Sequence, residues 1–266
     1  MYPILFEIGP FVISSFGFMM VAAFLTCNYL LARDIVKAGY EKQIAEELTF
    51  RAAIGGIIGA KLYYLIENIP TGQTYNNLNG LLDIIAGAFT LNFSKVGFGI
   101  QNFGAGLVFL GGLIGGTIAV SIYIKKVNLK WLVIADFIGP YLALGHGIGR
   151  IGCFLVGDDY GTPSNLPWAC SFPNGLPPTT IPVHPTQLYE MFLYFILFLF
   201  LYIKKRNKAF IGEIFFNYLF WAGLIRFMIE FIRTNIKYFG FSGAQYISII
   251  MIFISIYYFK KLRINN

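Results

Sequence analysis

Long apolar runs, every second one followed by a short basic stretch, set the layout of this chain. Seven runs stand out, at residues 11–33, 50–67, 104–124, 131–154, 186–203, 212–232 and 244–259. Most approach the roughly 20 residues that carry an α-helix across a bilayer core. Lipid offers the backbone no hydrogen-bond partners, so spans of this kind must be helical. The pattern predicts an all-α integral membrane protein with seven transmembrane helices, forming a single transmembrane domain over residues 1–266.

The basic residues orient these spans. Arg33, Lys37, Lys42 and Arg51 follow the first run, and Lys125, Lys126 and Lys130 follow the third. Lys204, Lys205, Arg206 and Lys208 follow the fifth; Lys260, Lys261 and Arg263 follow the seventh. The alternate loops carry little positive charge beyond Lys95 and Lys237. Positive loops stay in the cytoplasm, which places the N-terminus outside and the C-terminus inside, as an odd number of spans requires. Two outer segments are too long for simple turns. Residues 68–103 hold one short apolar piece at 81–89 and read as a re-entrant or interfacial segment. Residues 157–183, rich in Pro and Gly and holding Trp168, read as an ordered outer loop. The chain shows no internal repeat, which counts against a secondary transporter built from duplicated halves.

Composition agrees with this reading. The chain is 57% hydrophobic and 12% charged, against about 25% charged residues in a soluble domain. Its net charge of +7 sits in short loops between apolar runs, so it signals membrane orientation and not nucleic-acid binding. Cys27, Cys153 and Cys170 have no metal-ligand spacing and form no evident disulfide framework. The opening MYPILFEIGP lacks the basic start of a signal peptide, so the first helix is expected to remain in the mature protein. No metal ion or cofactor is expected.

Against this apolar background the ionisable residues carry the chemistry, because burying them in a membrane is costly. Residues 146–161 (HGIGRIGCFLVGDDYG) place His146 and Arg150 on one helical face, with Asp158 and Asp159 one to two turns later. Arg150 and an aspartate can serve simply as a structural pair. The glycines around them, Gly157 included, also permit close approach by another helix or a ligand. Arg226, Glu230 and Arg233 form a stripe at i, i+4 and i+7 with one positive charge in excess, which suits an anion. Arg233 could equally snorkel to the interface. HPTQLYE opens the fifth run, with Pro185 in the first helical turn, Glu190 near the positive end of the helix dipole, and His184 as either a cap or a site residue. Lys61, in GAKLYY, is a further embedded cation, and the Gly-rich stretch 103–116 is a candidate for tight helix packing. By this topology Lys61, Arg150, Arg226 and Arg233 all fall in the outer half. Guanidinium forks bind phosphate at two points, most strongly where the dielectric is low. A phospholipid matches both the cations and the apolar walls.

The motif GRIGCFLVGDDYG (residues 149–161) resembles the signature of bacterial prolipoprotein diacylglyceryl transferases, GRxGNFxNxExxG. IGP near the N-terminus, GAKLYY, GGLIGG, DFIGP, HPTQLYE, IRFMIEFIR and QYIS occur in the family's order over nearly the whole chain. The resemblance implies a seven-helix enzyme of the bacterial cytoplasmic (inner) membrane, with its active site toward the outer face. Its partners would be phosphatidylglycerol, the lipobox cysteine of a prolipoprotein signal peptide, and the bilayer itself. The diacylglyceryl group moves to the thiol as a thioether, and glycerol phosphate leaves. Arg150 and Arg226 match the family's residues for the leaving phosphate; Glu230 would orient Arg226, and Asp158 stands where the family has a glutamate. Lys61, Arg233, Gly157 and His184 complete the expected substrate-binding set. Three positions depart from the pattern: Leu110 replaces a histidine, Cys153 an asparagine, and Phe16 a tyrosine. His146, one turn before Arg150, is the expected substitute base, since imidazole titrates near neutral pH. The alternatives are a divergent paralogue with another acceptor or no activity, and a membrane transporter using the same arginines.

Overall fold

The computed structural model describes residues 2–9, 11–104 and 106–264. Among these described residues two strands, β1 (Ile4–Ile8) and β2 (Phe11–Ser14), precede nine helices. These are α1 (Ser15–Lys37), α2 (Lys42–Glu67), α3 (Gln73–Phe89), α4 (Phe93–Gly104) and α5 (Phe109–Lys126), followed by α6 (Trp131–Val156), α7 (Thr186–Lys204), α8 (Glu213–Ile229) and α9 (Gly243–Ile264). Short antiparallel ribbons, β3–β4 (Cys170–Phe172, Thr179–Val183) and β5–β6 (Lys237–Tyr238, Phe241–Ser242), decorate the loops. Among the described residues four helices are long and apolar enough to cross a membrane: α1, α6, α7 with its 3₁₀ extension, and α8 with its own. The protein is thus a mostly helical membrane protein, as the hydropathy pattern indicates.

The boundaries differ from expectation where local chemistry competes with hydropathy. The first run becomes helical only at Ser15, because residues 11–14 are extended and the Ser14 hydroxyl accepts from the Gly17 N–H at 3.1 Å as an N-cap. In 68–103, where one short apolar piece was expected, two helices form. The polar first turns of α3 (QTYNN) had masked its start.

Cα packing divides the chain into two compact units. One holds residues 6–13 and 43–129. Here α2 and α5 cross through glycines: a Cβ on Gly59 would lie 2.3 Å from the Gly111 carbonyl oxygen, and one on Gly115 would lie 2.3 Å from that of Gly55. Backbone therefore meets backbone, and the Gly-rich stretch has the packing role its composition suggests. Lys61 belongs to this unit. It is buried, donates to the Phe103 carbonyl, and lies 4.4 Å from the Phe103 ring centroid and 5.3 Å from that of Tyr64.

The other unit holds residues 1–5, 14–42 and 130–266. Its core joins α6, α7 and α8 through Ala143, Tyr194, Leu197, Leu201, Ile214 and Ala222, with Met251 of α9 packed against them. At one end of α6, Asp136 is 1% exposed and caps α8 across the interface. It accepts from the N–H groups of Gly212 (2.8 Å), Ile214 (3.0 Å) and Phe215 (3.1 Å), and from Lys208 Nζ (3.0 Å). These orphan donors and the positive helix end explain an aspartate inside an apolar helix. The cap fixes α8 against α6, and so sets how the other ends of these helices meet.

Candidate active site

At its far end α6 carries His146 and Arg150, then stops at Gly157, which adopts the left-handed conformation (φ 76°, ψ 37°). The chain that follows is stitched to its neighbours. Thr186 Oγ1 donates to the Asp159 carbonyl at 2.6 Å, and the buried Gln187 side chain donates to that of Asp158. Gly161 N–H donates to the His184 carbonyl at 2.9 Å, and Thr162 N–H to that of Ile232 at 2.8 Å. A Cβ on Gly161 would stand 2.6 Å from the Ile232 oxygen and 2.9 Å from Thr186 Cγ2. Only glycine allows the loop to lie between the start of α7 and the end of α8. By these contacts the sequence motifs of α6, α7 and α8 arrive at one place.

At that place Glu190, 0% exposed in the second turn of α7, is the hub. Its carboxylate takes Arg150 Nε at 2.5 Å and Arg226 Nη1 at 2.8 Å, with His146 Nε2 at 3.4 Å and Arg233 Nη1 at 3.6 Å. Glu230, also fully buried, pairs with Arg226 Nη2 at 3.1 Å, faces Arg233 Nε at 3.8 Å, and accepts from Asn235 Nδ2 at 2.5 Å. Asp159 closes the network, accepting from Arg150 Nη1 at 2.8 Å and from Arg233 Nη2. Three guanidiniums thus face three carboxylates. Burial of that many charges requires such pairing. The His146 ring stacks on Tyr194, with centroids 3.8 Å apart and planes 16° from parallel.

The two aspartates behave differently. Burial pushes the Asp158 carboxyl up, aided by the charge of Asp159. Its Oδ1 is buried with no hydrogen-bond partner among the described residues. Burial acts on Asp159 in the same direction, but the Arg233 and Arg150 guanidiniums outweigh it and hold the carboxyl below its ordinary range. Cys153 Sγ and both aspartate carboxylates lie within 4.8 Å of one another. Arg150 Nη1 lies 3.6 Å from that sulfur and already supplies their counter-charge.

Of the residues expected from sequence, Arg150, Arg226, Glu230, Arg233 and His146 come together here. Asp158 flanks them at Cys153, and it is Asp159 that takes the arginines. Gly157 acts through its backbone, accepting from Leu176 N–H at 3.0 Å. His184 ties the loop by its backbone, and its ring nitrogen Nδ1 lies 3.3 Å from the Tyr189 hydroxyl, which also accepts from Trp168 Nε1 at 2.8 Å. Cys27, Cys153 and Cys170 are all free thiols. Sequence reasoning placed Glu190 only at a helix dipole and missed it as the hub. The available signal was an acid two turns into an otherwise apolar helix.

The fold and this buried guanidinium–carboxylate network at the ends of apolar helices define a helical membrane protein with its charge gathered at one site. The family model described as "Prolipoprotein diacylglyceryl transferase" matches residues 3–260, and the chain belongs to that family. It is 34% identical over 267 residues to a phosphatidylglycerol–prolipoprotein diacylglyceryl transferase of Clostridium tetani, covering 98% of this chain and 97% of that protein. It is 36% identical to the protein of the same name from Finegoldia magna over 198 residues (74% of this chain, 69% of that one). For that of Aliivibrio salmonicida the identity is 33% over 245 residues (91% and 78%).

Proposed function

We propose that this chain transfers the diacylglyceryl group of phosphatidylglycerol to the lipobox cysteine of prolipoprotein signal peptides. The observation that carries the reading is the convergence of Arg150 and Arg226, the family-matched arginines, on one buried carboxylate. Glu190, fully buried, holds both forks in place, so they meet a phosphate already oriented, and little reorganisation is needed as charge builds. In the reaction the cysteine sulfur attacks the glyceryl carbon that bears the phosphate oxygen. The C–S bond forms, the C–O bond breaks, and its electron pair leaves with glycerol phosphate, against the guanidiniums. The thiol proton goes to His146. Glu190 faces Nε2 of that ring, which leaves Nδ1 as the accepting atom.

The remaining assignments belong to the same proposal. All seven apolar runs span the inner membrane as one transmembrane domain, N-terminus outside and C-terminus cytoplasmic, with the arginine cluster toward the outer face. Helices α3 and α4 form the re-entrant or interfacial segment. Arg233, Glu230 and Asp158 shape the headgroup site, and Gly157 and His184 contribute further contacts to it; Lys61, in the other unit, is a separate substrate-binding cation.

The test is incubation of purified protein with phosphatidylglycerol and a lipobox peptide. A diacylglyceryl mass increase on the peptide cysteine is expected, lost in Arg150→Ala and Arg226→Ala. Absence of that increase, under conditions where the Clostridium tetani relative produces it, overturns the proposal. His146→Ala with undiminished activity removes only the base assignment.

A further inference from the structure

If a phosphate binds between these arginines, something already sits in its place. Glu190 and Glu230 are fully enclosed and cannot move aside without carrying buried charge with them. Asp159 is different. Its side chain is 42% exposed, it lies at the open edge of the cluster, and its two carboxylate oxygens each take one guanidinium, Oδ2 from Arg150 and Oδ1 from Arg233. Two oxygens bridging two guanidiniums is also how a phosphate diester would bind them. The residue stands in the left-handed region (φ 60°), which aspartate tolerates better than most side chains.

We infer that the Asp159 carboxylate is a built-in occupant of the anion seat, displaced from Arg150 and Arg233 when the phosphate of the lipid headgroup binds and returning when the product leaves. The inference rests on the transfer reading above. A phosphodiester monoanion exchanges for a carboxylate monoanion, so the cluster of three guanidiniums stays neutral throughout. Glycerol phosphate, once released from the lipid, approaches two negative charges at neutral pH. That is one more than the seat balances, and Asp159 competes with it for the same nitrogens. The side chain is thus an affinity-setting residue that weakens product binding and speeds release.

Asp159→Asn and Asp159→Gly both suit a left-handed backbone and remove the charge, so both are expected to fold. Binding of glycerol 1-phosphate to purified protein in detergent should tighten at least about tenfold in both variants. Asp159→Glu should stay near wild type. In the transfer assay KM for phosphatidylglycerol should fall together with kcat, as product release slows. Equal or weaker glycerol 1-phosphate binding in the folded variants, or no binding by any form, overturns the inference. Tightened binding in a protein that transfers no lipid leaves the occupied seat standing and sinks the transfer reading instead. Full transfer with unchanged binding does the reverse.

Discussion

Replacing Glu190 by Gln tests whether the site is held together electrostatically. Glutamine keeps the volume, so no cavity opens; the change removes the charge and turns one of the two acceptor oxygens into an NH2 donor. In the wild type that charge faces Arg150 at 2.5 Å, Arg226 at 2.8 Å and Arg233 at 3.6 Å from a fully buried position. At an effective dielectric near 20, each unit pair at about 4 Å is worth ~4 kcal/mol. Much of this is offset by the desolvation that Glu190 no longer suffers. Breaking a buried pair from one side costs roughly 3–5 kcal/mol net, which for a chain of this size lowers the unfolding midpoint by about 6–20 °C. Asp83→Asn is the matched control: its pair with Lys95 spans 3.6 Å with both side chains partly exposed, and its loss should cost at most ~1 kcal/mol. Thermal unfolding in detergent, followed by intrinsic fluorescence, reads both. If Glu190→Gln melts within about 2 °C of wild type while the control behaves as stated, the carboxylate is not what organises the arginines.

Other expectations follow from single contacts. Asp158→Asn should melt at or above the wild-type temperature, since burial disfavours the ionised carboxyl, yet lose transfer activity; a clear fall in melting temperature would contradict that account. Acid should act on Asp159 with the opposite sign: its ion pairs are complete above the ordinary carboxylate value of about 3.9 and fail as pH falls through its depressed native value. A pH series should therefore show Asp159→Asn unfolding with a shallower acid slope than wild type. Gly161→Ala should destabilise by at least the ~1–3 kcal/mol typical of overpacking, and reduced expression of folded protein would register it. Asp136→Ala strips three backbone donors of their acceptor at about 1–3 kcal/mol each if none is rescued by water, and should loosen α8 in hydrogen exchange while leaving α1 protected.

How much of this was legible beforehand depends on the range of each interaction. Hydropathy marked the long helices because their signal is local and repeats every turn. The stripe Arg226–Glu230–Arg233 was legible for the same reason, and its i, i+4 ion pair forms at 3.1 Å. Helix α3 was hidden because QTYNNLNG is polar and Gly-containing, although packing against α4 holds it helical. Glu190 was undervalued because its partners lie 36 and 40 residues away in sequence, on helices whose rotation no pattern fixes. The choice between Asp158 and Asp159 turned on one backbone angle. The motif resemblance pointed to Asp158 as the acid, but the left-handed turn at Asp159 presents that side chain to the arginines instead.

The order of the charged residues along the chain bears on how such a site can be made at all. Ribosomes deliver Arg150 first, and Asp159 follows nine residues later with the opposite sign. Glu190 comes next, then Arg226, Glu230 and Arg233. At no stage does the emerging chain hold more than one uncompensated member of the cluster. An unpaired charge on or beside an inserting helix carries a cost, and the translocon meets that cost one residue at a time. A permuted chain that grouped the arginines before their carboxylates would have the same folded contacts, yet present three unpaired cations to the membrane during its synthesis.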